Sequence, residues 1–378
     1  MVTVSGHAYP WDVLGDADFV ARVADHGVPT VTLAAAYHSA RAATPLHPAH
    51  QIVDATCAAL YRPVRDEVWQ GRRLRPAAPQ WMDASDPYGQ AAAELKAAGL
   101  SVAAWVVLTH NTRLGTAFPE LTVVNCFGER YPYALCPAQE EVRDFAATLA
   151  AEAIRDAPVD VVSLEACGQL GLAHLGHHEK SDGAWTPEAA RLLSVCCCGI
   201  CTGGWRERGL DPAAVVKALR TAVTGEAHGT PAPLDADVEA LILATRHASA
   251  DKLRAQVLAA VRGVAPTAPV TLHAGPDPWA TGPSPGITAQ ALTEVDALLV
   301  PAWPTATTTA DTVTRAANLG LPVDAYVTVL PPADESDVLP HVRRLVEAGA
   351  QRLSLYHLGL APRWKQRLFA EICRAVAA

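Results

Sequence analysis

The sequence predicts an α/β fold, a (β/α)8 barrel, on three observations. Short β-branched runs alternate with amphipathic Ala/Leu/Glu/Arg-rich stretches along the whole chain. Eight such runs can be counted, the number that closes a parallel barrel. The rival arrangement, an open doubly wound sheet, lacks its G-x-G-x-x-G phosphate turn after the first strand. Half of the 378 residues are apolar and 18% are charged, so a large core is available and a mainly disordered chain is excluded. Residues 1–378 therefore read as a single barrel domain.

Val2-Thr3-Val4-Ser5 is the first strand, followed by a helical pattern from Asp16 to His26 that stops at Gly27. Thr30 to Ala34 is the second strand. A helix from Tyr88 to Ala98 closes at Gly99, and Ser101 to Leu108 is the third strand, apolar almost throughout as expected of a strand covered on both faces. Glu140 to Ile154 has helical spacing and leads into the fourth strand, Asp160 to Glu165. The remaining strands are Pro269 to His273, Asp296 to Pro301, Pro322 to Val329 and Arg352 to His357. Helices ending at Gly320 and Gly349 precede the last two, and a final helix spans Arg363 to Ala377. Long inserts follow strands two, three and four: Ala36 to Asp86, Thr109 to Gln139, and Ala166 to Thr267. All three are βα connections, on the face where barrel active sites sit.

The formal charge of −9 and the lack of a basic stripe exclude a nucleic-acid binder. No apolar run reaches the roughly 18 residues needed to span a bilayer. The start, Met1-Val2-Thr3-Val4-Ser5-Gly6, has no signal-peptide pattern, so a cytoplasmic protein without membrane partners is expected. The oligomeric state stays open, a homo-oligomer included.

Polar and aromatic residues gather at the predicted strand ends: His7 and Trp11, then Tyr37, His38 and Arg41, then His110 and Asn111. Further along come His273, Trp303, Tyr326 and His357, with His177 in the insert after strand four. Flat aromatic rings stack on sugar faces, and His, Asn, Arg and Tyr bind hydroxyls, so a small-molecule carbohydrate is the expected partner. Each of these residues taken alone could equally be a solvated strand end.

Glu165 ends an apolar strand, so its carboxyl is expected at the barrel mouth, desolvated enough to act as general acid, base or nucleophile. The alternative is a structural carboxylate bonded to Arg41 or to a backbone N–H. Glycoside hydrolysis usually needs a second carboxylate. Asp324 lies near the start of strand seven rather than its end, which leaves Asp277 and Glu179 as candidate catalytic partners, with Asp86 a further option.

Four of nine cysteines fall within six residues, and Cys196, Cys198 and Cys201 offer three soft ligands to a structural Zn2+. The fourth could be Cys136, Cys126, Cys167 or Cys197. The insert 166–267 thus carries a Cys-rich zinc knuckle.

Cys136-Pro137 with Val142-Arg143, the strand-four Glu165, and Cys196-x-Cys198-x-x-Cys201 together resemble glycoside hydrolase family 42, the barrel β-galactosidases. That resemblance implies a (β/α)8 barrel, Glu165 as acid/base, and Cys136 as the fourth zinc ligand. It covers residues 130 to 205. Leu164 stands where the family has Asn before its glutamate, and no carboxylate ends strand seven.

The leading expectation is therefore a glycoside hydrolase. A second is a metal-dependent lyase, isomerase or amide hydrolase with His7, His38, His110 and His273 as ligands. A third is a sugar-binding barrel without turnover.

Overall fold

A computed structural model describes residues 2–174, 179–181 and 183–377. Eight parallel strands form the ring: β1 (Thr3–Ala8), β2 (Thr30–Tyr37), β3 (Ser101–Val107) and β4 (Val161–Glu165), then β5 (Val270–His273), β6 (Ala297–Pro301), β7 (Val323–Thr328) and β8 (Arg352–Tyr356). Each pairs with the next, and β1 pairs with both β2 and β8, which closes the barrel. The predicted fold class is the observed one. No helix among the described residues is long and apolar enough to cross a membrane.

Two strands run further than the β-branched runs foretell. β1 continues through Gly6-His7-Ala8 and β2 through Ala35-Ala36-Tyr37. Gly and Ala have poor strand propensity, and burial in the ring overrides it. Gly6 is needed for space: a Cβ there would stand 2.6 Å from Leu358. The insert after β4 is shorter than expected. Its last third belongs to the barrel wall, as the 29-residue helix Ala236–Val264, which packs on the helix Glu140–Ile154. The insert proper carries the helices Pro187–Leu193, Gly199–Glu207 and Pro212–Ala227, built around a second apolar cluster that includes Leu192, Trp205, Leu219 and Ile242.

Inside the ring, alternate strands contribute the side chains of one layer. His7 of β1, Trp105 of β3, His273 of β5 and Tyr326 of β7 meet there. The His7 ring lies 4.6 Å from Trp105, 4.5 Å from Tyr326 and 6.4 Å from His273, centroid to centroid. Barrel interiors usually hold branched aliphatic residues at this level; here it is aromatic and imidazole. Toward the strand N-termini the interior stays polar. Ser354 donates to Asp324 Oδ2 at 2.9 Å and meets Ser5 Oγ at 2.9 Å. Burial pushes the Asp324 carboxyl up to about 7, against the pull of the Ser354 bond and Arg352.

Because the folded chain holds that proton more tightly than the unfolded one, its stabilisation is complete below pH 4 and is lost as pH rises toward 7. Asp324→Asn is expected to match the native chain near pH 4 and to exceed its stability by about 1–3 kcal/mol above pH 7. Denaturant titrations across that range check this; a difference independent of pH would contradict it.

Candidate active site and metal centre

Glu165 is the last residue of β4 and stands one layer above the four rings, opposite Val107 in register. It is only 4% exposed. The Trp105 indole N–H donates to its Oε2 at 2.7 Å, and His273 Nδ1 lies 3.6 Å from the same oxygen. Burial pushes His273 down to about 3, so it is neutral and supplies no counter-charge. Its Nε2 is paired with Ser163 Oγ at 2.9 Å. Among the described residues no Arg or Lys pairs with Glu165. Burial raises the carboxyl to about 7, and the Trp105 hydrogen bond opposes the rise. The alternative of an Arg41 partner fails: Arg41 is exposed on the hairpin Ala40–Ala43/Ile52–Ala55, opposite Asp54.

Around Glu165 the strand ends supply an aromatic collar. Tyr37 lies 4.4 Å from Trp105, Tyr9 stacks on His357 at 4.4 Å and on Trp11 at 4.3 Å, and Trp303 lies 4.7 Å from Tyr356. Several buried polar atoms in this group have no hydrogen-bond partner among the described residues: both His7 nitrogens, His357 Nε2, Trp11 Nε1 and Trp303 Nε1. Such orphans cost about 1–3 kcal/mol each unless a ligand or water satisfies them. Gly359 N–H donates to His357 Nδ1 at 3.2 Å, so the Nε2 of that neutral ring carries its hydrogen.

The structure brings together Glu165, His7, Tyr37, His273, Tyr326 and His357, with Trp11 and Trp303 at the collar. It does not bring in the two carboxylates expected to partner Glu165. Asp277 is exposed and caps its own loop through Trp279 N–H, and Glu179 is exposed and bonded to Ser181. Asn111 is used structurally: its Oδ1 accepts from Leu114 N–H and caps the helix Thr112–Ala117. His38 and His110 form a separate group nearer the rim. His177 lies outside the described residues.

Trp105, the direct partner of Glu165, escapes the sequence reading because Ser101 to Leu108 is apolar at nearly every position and hides which residues point inward. A buried Asp12, raised to about 7 by desolvation, also sits at the mouth. Its Oδ2 accepts from Tyr9 N–H at 2.8 Å and lies 3.8 Å from His357 Nδ1. Its only sequence signal is an acid inside the apolar run Trp11-Asp12-Val13-Leu14.

The thiol cluster assembles as the resemblance implies. Cys136 enters the helix Glu140–Ile154, Cys196 follows Pro187–Leu193, Cys198 caps Gly199–Glu207, and Cys201 lies in its first turn. All four are buried, and their sulfurs lie within 4.8 Å of one another. Cys197 turns away toward Val195 O, and Cys126 joins the second apolar cluster, while Cys167 lies in the main core. Four sulfurs around one ion at about 2.3 Å stand about 3.8 Å apart. Cys136 Sγ is 3.9 Å from Cys198 Sγ and 3.7 Å from Cys201 Sγ, which fits a metal and not disulfides. The four residues can hold a metal ion that ties the insert to the segment entering the Glu140 helix.

No protein-family model matches the chain, and no curated protein is similar in sequence. Solved structures do match. Alpha-L-fucosidase isoenzyme 2 from Paenibacillus thiaminolyticus is 12% identical with a TM-score of 0.60, over 100% of this chain and 50% of its own. A GH42 beta-galactosidase from G. stearothermophilus is 12% identical at 0.59, over 99% and 56%. The catalytic domain of beta-amylase from Paenibacillus polymyxa is 12% identical at 0.58, over 98% of both chains. The chain spans about half the length of the first two. At this identity the likeness shows the barrel fold shared with glycoside hydrolases, and nothing finer.

Metal analysis checks the thiol site. Cys198→Ser is expected to hold about one ion per chain fewer than the native chain, with the chelator-induced drop in thermal midpoint smaller in the variant. Equal metal content in the two proteins would contradict it.

Proposed function

We propose that the chain is a glycoside hydrolase in which Glu165 donates the proton to the departing glycosidic oxygen. The observation that carries this reading is a carboxyl at the end of β4, buried, raised to about 7 and held, among the described residues, by an indole N–H. At neutral pH such a group is substantially protonated, the state a general acid needs. With Oε2 occupied by Trp105, Oε1 is the oxygen left to carry the proton. As the C–O bond breaks, that proton passes to the leaving oxygen. A water molecule forms the new bond to the anomeric carbon and gives up a proton to solvent. The resulting carboxylate keeps the Trp105 bond until it takes a proton back. The unpaired donors of His7, His357 and Trp303 are assigned to sugar hydroxyls, and the Trp303 and Tyr356 rings to stacking on a sugar face. Asp277 and Glu179, on loops at the same end of the barrel, are the carboxylates a bound substrate would meet from outside.

The ion at the four cysteines is proposed to be a structural Zn2+. Four thiolates leave it no open position, so it supplies rigidity to the insert and no chemistry to the sugar.

The second reading is a sugar-binding barrel without turnover. It is favoured by the lack, among the described residues, of a second carboxylate in contact with Glu165. A catalytic ion on His7, His38, His110 and His273 has weaker support, because the four histidines fall into two separate groups.

Glu165→Gln is expected to lower kcat/KM on the preferred glycoside with a sugar or alkyl leaving group by about 10³-fold or more while changing sugar affinity only a few-fold. In the native chain activity is expected to decline as pH rises through about 7, where Glu165 loses its proton. Trp105→Phe removes the bond that opposes the raised pKa and is expected to move that decline to higher pH. Full activity of Glu165→Gln would refute the assignment. Calorimetric sugar binding with no turnover across a broad glycoside panel would establish the second reading instead.

A further inference from the structure

At the rim, outside the Glu165 site and apart from the thiol cluster, three imidazoles from three elements converge. His38 follows β2, His110 lies just beyond β3, and His174 belongs to the insert after β4. His110 Nε2 and His174 Nε2 face each other at 2.8 Å. The His38 ring lies 4.4 Å from that of His110, centroid to centroid. The group is firmly built: His174 stacks on Tyr133 at 3.8 Å with the rings 8° from parallel, and Tyr133 donates its hydroxyl to the Gly171 and Leu172 carbonyls.

We propose that His38, His110 and His174 form a binding site for a divalent late transition-metal ion such as Zn2+, Co2+ or Ni2+. Neutral imidazoles are the donors these ions prefer. His38 Nδ1 sits 2.7 Å from the Ser39 carbonyl, which makes Nδ1 the protonated nitrogen and leaves the Nε2 lone pair free. In the His110–His174 pair one Nε2 donates and the other accepts. An ion takes the place of that hydrogen when the donating ring moves its proton from Nε2 to Nδ1, so no net proton is released. Two imidazole nitrogens on one tetrahedral ion at about 2.0–2.1 Å stand about 3.3 Å apart, so the pair has to open by roughly half an ångström. The His38 Nε2 does not stand beside the pair's nitrogens as the rings lie, so binding requires that ring to turn and give up its Ser39 contact to bring Nε2 to the ion. A bound ion would tie the segment Gln169–His174 to the ends of β2 and β3, beside the barrel mouth. This site does not depend on the glycosidase reading.

The test is metal counting by equilibrium dialysis of the full chain against Zn2+, and against Co2+ with absorption spectroscopy. The native chain is expected to bind one more ion than His174→Gln. The difference should be confined to weak visible Co2+ bands, with the thiolate charge-transfer absorption of the cysteine site unchanged. His38→Gln provides a second variant should His174→Gln fold poorly, and it is expected to weaken the same ion at least tenfold. Identical stoichiometry and identical spectra in the native chain and a folded variant would overturn the proposal.

Discussion

The arrangement at the barrel mouth depends on one constraint: a carboxyl is buried at position 165 with no cation beside it among the described residues. An ionised carboxylate removed from water costs several kcal/mol, and a buried acid with no counter-charge lowers that cost by holding its proton. The surroundings of Glu165 supply one indole N–H and a neutral imidazole. Each is in turn fixed from below, Trp105 and His273 within the ring layer shared with His7 and Tyr326, and His273 additionally by Ser163. The closed strand ring makes this possible, because it carries four rings from alternate strands to one level and leaves the fourth strand's last residue to rest on them.

That polar interior differs from the aliphatic filling usual in barrels of this kind. Asp324, Ser354 and Ser5 continue it downward, with a second acid raised to about 7. The outer surface of the ring carries the hydrophobic load, where helices such as Glu140–Ile154 and Ala236–Val264 cover the strands. An interior so rich in hydrogen-bonding groups gives up stability relative to a packed aliphatic core. The atoms at the mouth left without partners among the described residues are the ones a polyhydroxylated ligand can satisfy.

Much of the fold is legible in the sequence, because strands covered on both faces read as unbroken apolar runs and each late helix ends in a glycine. The same uniformity conceals the site. In Ser101 to Leu108 nothing marks Trp105 as the inward residue, and in Gly6-His7-Ala8 weak strand propensity makes His7 look like loop when it is part of the barrel core. Asn111 shows the opposite failure: a polar residue at a strand end serves the helix beside it. Spacing alone leaves Cys136 level with Cys126, Cys167 and Cys197; the family resemblance favours it, and packing sets its sulfur beside the other three. His174 needed the third dimension too, since its neighbours His38 and His110 lie far away in the chain.

The most direct test of the account is the protonation state of Glu165 itself. Infrared difference spectra of native chain against Glu165→Gln, recorded from pH 4 to 9, isolate the C=O stretch of that one carboxylic acid. A neutral-acid band is expected to persist through pH 6 and to disappear near pH 7. A band already lost by pH 5, the behaviour of an ordinary glutamate with a pKa of about 4.3, would contradict it.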